Sequence, residues 1–349
     1  MTQFTFITLL AFVSALYLYW GIKKLPHERM QIAAAVPLKK DAAGRWQGLN
    51  LTWYGILTAN AYVAAVVVAL VLMRSAGISF NAIAAIVFLL LAVCVPASRL
   101  VAQVVEGKRN TFTVGGAVFV GTLVSPWVVE LVNQIPVGDG GLLVPVLPAL
   151  AAISIAYAFG EGYGRLACIS FGCCYGKPLS SCRPALARIA APFALVFTGS
   201  TKKIAYASGL EGVKVFPVQV VTYLLYTATG IGATALFLNG YFGGAFLLSL
   251  AVTQLWRVAS EFLRDDYRGG GRISAYQWMG VIAVVYGCWA VRQFEDGGRL
   301  PDLAAGMDGF WSAGAMLLVQ VVWVAIFLYT GLSRVTAATL SFHVKAEKI

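Results

Sequence analysis

Between Leu51 and Met73 the chain reads LTWYGILTANAYVAAVVVALVLM, 23 residues without a formal charge. A helix of that length rises about 35 Å, enough to cross roughly 30 Å of bilayer hydrocarbon while satisfying its own backbone polar groups. Comparable apolar windows recur near 4–20, 80–97, 113–132, 143–160, 215–238, 241–257, 275–291 and 309–333. Over 349 residues, 59% are hydrophobic and 12% charged, and the mean hydropathy is +0.78. The expected fold is therefore an all-α polytopic membrane protein with nine spans rather than a soluble core.

The first window resembles a signal peptide in length only. Its front end, MTQ, has no Lys or Arg, and no small-residue cleavage pattern precedes GIKKLPHERM, so it is read as a retained helix.

Charge then orients the bundle. With nine spans, the connections 21–50, 98–112, 161–214 and 257–274 and the tail from 334 hold 23 of the 26 Lys and Arg; Arg74, Arg292 and Arg299 are the others. The positive-inside rule places the basic set in the cytoplasm. Basic residues in short loops set topology or meet anionic headgroups, so the net charge of +11 does not imply nucleic acid as a partner. The longest connection, 161–214, is polar and punctuated by Pro and Gly, and is expected to form a headpiece over the bundle.

In WRVASEFLRDDYRGGGR, Arg257, Glu261 and Arg264 fall at i, i+4 and i+7. At about 100° per residue they would share one face of a helix. Charges at membrane depth are costly unless paired or lining a wet cavity, and an Arg–Glu–Arg face facing an anion meets both conditions. The same residues also suit interfacial anchors that snorkel to headgroups.

Arg165 follows the span 143–160 in the same basic set, and two guanidiniums facing one cavity suit a phosphate. Gly115 and Gly116 open another span, where they permit close approach of a ligand or of a neighbouring helix.

The stretch GRLACISFGCCYGKPLSSC holds four of the six cysteines. Cys173 and Cys174 read as small residues in a tight turn, or alternatively as a nucleophile or redox pair, although no neighbouring histidine would generate a thiolate. No C-x-x-C or H-x-x-x-H spacing marks a metal site, and neither a metal nor another cofactor is expected.

Taken in order, these segments resemble the prolipoprotein diacylglyceryl transferase family over roughly 50–292, seven of the nine spans. LTWYGIL is similar to the family's Trp-Tyr-Gly segment, with Trp53, Tyr54 and Gly55. FTVGGAVFVG resembles its His-Gly-Gly segment, keeping Gly115 and Gly116. GRLACISFGCCYGKP resembles its arginine signature, with Arg165 on the signature arginine and Gly172, Cys173, Cys174, Tyr175 and Gly176 in the glycine turn. FPVQVV keeps Pro217 and Gln219, with Val221 in an aromatic position. WRVASEFLRDD resembles the Arg-x-x-x-Glu-Phe-x-Arg block, and ISAYQWMG supplies the closing Gln277.

The resemblance implies a seven-helix core over 51–292, including the headpiece. An extra transmembrane helix stands at each end, in 1–50 and 293–349. It implies a bacterial inner-membrane enzyme moving a diacylglyceryl group from phosphatidylglycerol, or a similar anionic phospholipid, to a lipoprotein cysteine thiol or another nucleophile. Arg165 and Arg257 would stabilise the departing phosphate, Glu261 would hold Arg257, and Arg264 would steer headgroups inward. Tyr54, Gly115, Gly116, Gly172, Cys173, Cys174, Tyr175, Gln219 and Gln277 would line the substrate.

The chain departs from the family in three ways. Val114 stands where the family has its histidine, and the two histidines, His27 and His343, lie outside the core, so Glu161 is the candidate base. The charge bias puts the motif-bearing face in the cytoplasm, whereas the family works on the outer face. The flanking spans are additional. A phospholipid-binding or lipid-moving protein without catalysis is the alternative reading.

Overall fold

The computed structural model describes residues 2–40, 46–107, 113–135, 143–265, 273–297 and 299–334, with Ala42, Gly44 and Glu347. Helix α1 (Gln3–Lys24) is followed by the strands β1 (Ile32–Lys40) and β2 (Trp46–Thr52). Then come α2 (Trp53–Ser75), α3 (Phe80–Glu106), α4 (Val114–Gln134) and α5 (Val146–Phe171). The headpiece contains the short helix α6 (Pro184–Ala190), β3 (Leu195–Val196), α7 (Lys203–Ser208) and β4 (Lys214–Val215). The bundle resumes with α8 (Val218–Leu238), α9 (Phe242–Glu261), α10 (Ala275–Gln293), α11 (Leu303–Phe310) and α12 (Ala313–Thr330), ending on β5 (Leu332–Ser333).

Among the described residues, eight of these helices are long and apolar enough to cross a membrane. The chain is an all-α polytopic membrane protein, as its apolar windows predict. The ninth expected span, 275–291, does form α10, but that helix falls outside the set. Gln277 at one end and Arg292 and Gln293 at the other dilute its apolar character.

Helix starts follow local chemistry. Thr52 caps α2 by accepting from the Gly55 N–H at 3.2 Å, and Ser79 caps α3 in the same way. Ser274 and Gln277 form a reciprocal capping box at α10.

Helix α5 is the axis, packed by α2, α8 and α9, and 78% of its apolar window is buried. Its glycines make this possible. A Cβ at Gly160 would sit 3.0 Å from the Ala65 Cβ of α2, and one at Gly162 would sit 3.3 Å from Tyr226 and Thr227 of α8.

The span expected to end at 160 continues to Phe171, so Glu161 and Arg165 belong to the helix and not to the loop after it. Charge and glycine end the apolar window in sequence. Inside the bundle the two charges compensate each other and the glycines face neighbouring helices, so nothing stops the helix.

Both flanking helices join the bundle. On α1, the Ser14 hydroxyl lies 2.8 Å from the Tyr163 hydroxyl, and the Ser14 carbonyl accepts from the Tyr223 hydroxyl at 2.8 Å. On α12, Trp323 Nε1 donates to Asn60 Oδ1 of α2 at 2.8 Å.

The basic connection 21–50 contains a hairpin that its sequence does not announce. Strands β1 and β2 pair antiparallel, and β5 adds to the far edge of β2.

In the headpiece, wholly buried Lys202 donates to the Leu25 carbonyl, just past α1, at 2.9 Å, and to the Ser170 carbonyl at the end of α5. Burial pushes its ammonium down to about 8, partly opposed by Glu28.

Candidate functional site

The site gathers at the end of the bundle where α5 and α9 finish and α2, α4, α8 and α10 begin. Helix periodicity puts Tyr157, Glu161 and Arg165 on one face of α5, at successive steps of four residues. Arg165 pairs with the Glu161 carboxylate. From α9, Arg257 Nη1 approaches the same oxygen, Glu161 Oε1, at 4.0 Å, and donates to the Tyr157 hydroxyl at 3.4 Å.

One carboxylate thus holds two guanidiniums, leaving a net charge of +1. All three side chains are largely buried, at 10–15% exposure. The Nε–H groups of Arg165 and Arg257 are buried without a hydrogen-bond partner among the described residues. Guanidinium donors left over beside excess positive charge are groups that an anion can satisfy.

Gly115 brings α4 against this cluster. A Cβ there would stand 3.0 Å from Arg257 Nη2 and 2.8 Å from Tyr276 Cδ1. Gly116 faces the other way, where a Cβ would meet Val101 of α3 at 2.7 Å. Gly115 thus lets α4 close on Arg257 and Tyr276, and Gly116 lets it close on α3. Val114, in the position of the family's histidine, is 47% exposed.

Two expectations for the Arg257 helix are corrected. Helix α9 ends at Glu261, so Arg264 does not share its face. The chain turns away there because Lys177 N donates to the Leu263 carbonyl and Asp265 N to the Tyr175 carbonyl, pinning Arg264 in an antiparallel bridge with Gly176. From that bridge Arg264 stays within electrostatic reach of Arg165 and Cys174. Glu261, expected to hold Arg257, instead accepts from the Ser274 hydroxyl, while Arg257 faces Glu161.

Other expected site residues are engaged within the protein. Gln277 accepts from Ser274 N at 2.9 Å and donates to the Val258 carbonyl at 3.0 Å, locking α10 to α9. Gln219 donates to the Cys173 carbonyl at 3.0 Å, and its Oε1 is buried without a partner among the described residues. The Tyr175 hydroxyl meets Ser208, and the Tyr54 ring packs edge-on to Phe171 at 5.7 Å.

The glycine turn is tight. Gly172, at φ +72°, closes α5 with its N–H on the Ile169 carbonyl, and Cys173 N donates to the Cys168 carbonyl at 3.0 Å. At Gly176 a Cβ would lie 2.3 Å from the Phe216 carbonyl.

The turn folds Cys173 and Cys174 back on Cys168 until the three sulfurs lie within 4.8 Å of one another. Contacts with the Cys168 and Cys173 thiols, then Arg264 and Arg165, hold the Cys174 thiol well below its ordinary value, opposed by burial. The same sulfur contacts push Cys173 up. No paired cysteine spacing reveals this set. Tyr157 and Tyr276 also escape sequence reasoning, though the interval of four between Tyr157 and Glu161 is a signal for the former.

A curated relative, the phosphatidylglycerol–prolipoprotein diacylglyceryl transferase of Clostridium tetani, is 28% identical over 149 residues, 41% of this chain and 51% of the relative. The chain therefore spans about half the length of that relative. The family profile described as prolipoprotein diacylglyceryl transferase matches residues 42–292, well over half of the chain. That range contains the two arginines, the glutamate between them, the glycine pair and the cysteine turn, and with it the chain belongs to the prolipoprotein diacylglyceryl transferase family.

Proposed function

We propose that this protein transfers a diacylglyceryl group from phosphatidylglycerol, or a similar anionic phospholipid, to a thiol or other nucleophile. The observation that carries this reading is the buried pair Arg165 and Arg257, bound to one carboxylate and each keeping a donor unspent. The acceptor sulfur attacks the glycerol carbon next to the phosphate. A carbon–sulfur bond forms, the carbon–oxygen bond breaks, and its electron pair leaves on glycerol phosphate. The arginine donors stabilise the charge that builds on that phosphate, where preorganised groups in a dry site are most effective.

Glu161 fits a positioning role better than that of a base, because two guanidiniums compete for its lone pairs. The thiol proton then passes to solvent or to another acceptor. A cysteine thiol, with an ordinary pKa of about 8.5, is partly ionised near neutral pH without help.

The test uses purified protein with headgroup-labelled phosphatidylglycerol and a lipobox peptide. Glycerol phosphate should appear only when the acceptor is present, and Arg165→Ala and Arg257→Ala should lower its release about 100- to 1,000-fold while remaining folded. Unchanged turnover in those variants removes the assignment.

Val114 in the histidine position supports a second reading, lipid binding or movement without catalysis. That reading predicts phospholipid copurification and no glycerol phosphate release. The charge bias argues for a cytoplasmic site face, and the family analogy for an external one. Labelling a single cysteine introduced at exposed Lys214 in intact cells decides between them.

A further inference from the structure

We propose that Cys168, Cys173 and Cys174 form a three-thiolate site for a thiophilic divalent cation of the zinc class. Zinc–sulfur bonds of about 2.3 Å in tetrahedral geometry set sulfurs about 3.8 Å apart. The three sulfurs already lie within 4.8 Å, so closing on an ion takes about 1 Å at the longest edge, within reach of small side-chain rotations.

The backbone is arranged for this convergence. Gly172 reverses the chain at the end of α5, and Cys174, at φ +55°, is the one non-glycine residue at positive φ among the described residues. A plain connection from α5 into the headpiece has no need of a left-handed cysteine after a left-handed glycine. This one turns two successive thiols toward a third that α5 holds fixed.

Charge supports the same reading. Three thiolates and a divalent ion carry a net charge of −1, and the set lies within electrostatic reach of Arg165 and Arg264. Thiolates are the soft ligands that such ions select, and three protein ligands leave the fourth tetrahedral position to a non-protein group. The spacing, Cys-x4-Cys-Cys, is not one by which zinc sites are recognised in sequence. This inference rests on the cysteines alone and stands or falls independently of diacylglyceryl transfer.

The test uses the full chain, purified in detergent under a phosphine reductant, stripped with chelator and titrated with Co2+ alone. Thiolate-to-cobalt charge-transfer absorption and intense visible ligand-field bands are expected, saturating at one ion per chain and bleached by Zn2+. Cys168→Ser, Cys173→Ser and Cys174→Ser should each lose the bands, and Cys94→Ser, Cys182→Ser and Cys288→Ser should keep them.

A readout on the unaltered protein guards against misfolded variants. Zn2+ at tenfold its dissociation constant should slow alkylation of the three cysteines about tenfold relative to exposed Cys288, read by peptide mass spectrometry. Absence of the bands, their survival in the triple serine variant, or equal alkylation with and without Zn2+ each overturns the proposal.

Discussion

Replacing Gly115 and Gly116 in turn by alanine separates packing from chemistry at adjacent positions. Carbon atoms rest about 3.5–4.0 Å apart, so a Cβ at Gly115, 2.8 Å from Tyr276 Cδ1 and 3.0 Å from Arg257 Nη2, demands a retreat of about 0.5–0.7 Å. Tyr276 is buried and resists, so relieving both contacts forces α4 back from α9 and α10 and displaces Arg257 with it. Misplacement of a catalytic group by about 1 Å costs on the order of 100-fold, so Gly115→Ala should lower turnover about 10- to 100-fold.

A Cβ at Gly116 presses on Val101 at 2.7 Å, away from the arginines, and overpacking of that kind costs about 1–3 kcal/mol of stability. Gly116→Ala should therefore unfold earlier in detergent yet keep turnover within about twofold, per folded molecule. The assays are glycerol phosphate release and thermal unfolding on the same preparations. Full turnover in Gly115→Ala, or equal catalytic losses in both variants, would refute the reasoning.

Other outcomes follow from the same geometry. Lysine at Arg165 or Arg257 should restore only a small part of the activity lost in the alanine variants, a loss of about 100- to 1,000-fold, because an ammonium is a point charge without the guanidinium fork. Full rescue by lysine would argue against hydrogen-bond geometry at the phosphate. Glu161→Gln leaves two buried guanidiniums without their shared anion and should cost about 3–5 kcal/mol in detergent unfolding. A neutral effect would mean that the pairing does not hold in the folded protein.

Lys202 gives a pH signature. The folded chain releases this proton near pH 8 and the unfolded chain near 10.5, so unfolding takes up a proton between them and raising pH favours the fold. Stability should rise by about 3 kcal/mol across that window, and Lys202→Met should flatten the rise; equal slopes in both proteins would contradict it.

What the sequence shows depends on whether a residue's partner lies on its own element. The spans are legible because lipid forces long uncharged windows, and Arg165 and Arg257 because their motifs keep an order. Helix periodicity sets Glu261 beside Arg257 and the family resemblance assigns it to hold that arginine, but periodicity knows only one helix. The carboxylate that Arg257 meets, Glu161, comes from α5, and only packing reveals it. The end of α5 is misplaced for a related reason, since Glu161 and Arg165 look like a loop until their mutual compensation is seen. Arg264 leaves its helix because the strand-like segment 175–177 captures the backbone after Glu261. The three thiols converge through a left-handed turn, which no rule of residue spacing encodes.

Lys202 also bears on where this protein begins and ends as a unit. The family profile starts at residue 42, beyond the whole of α1, yet Lys202 anchors inside the profile and reaches back to Leu25. Trimming the chain to its recognisable portion would strip one of the two carbonyls that hold a buried ammonium, along with the serine that meets Tyr163 and Tyr223. The stretch that heredity makes visible is shorter than the stretch that folds.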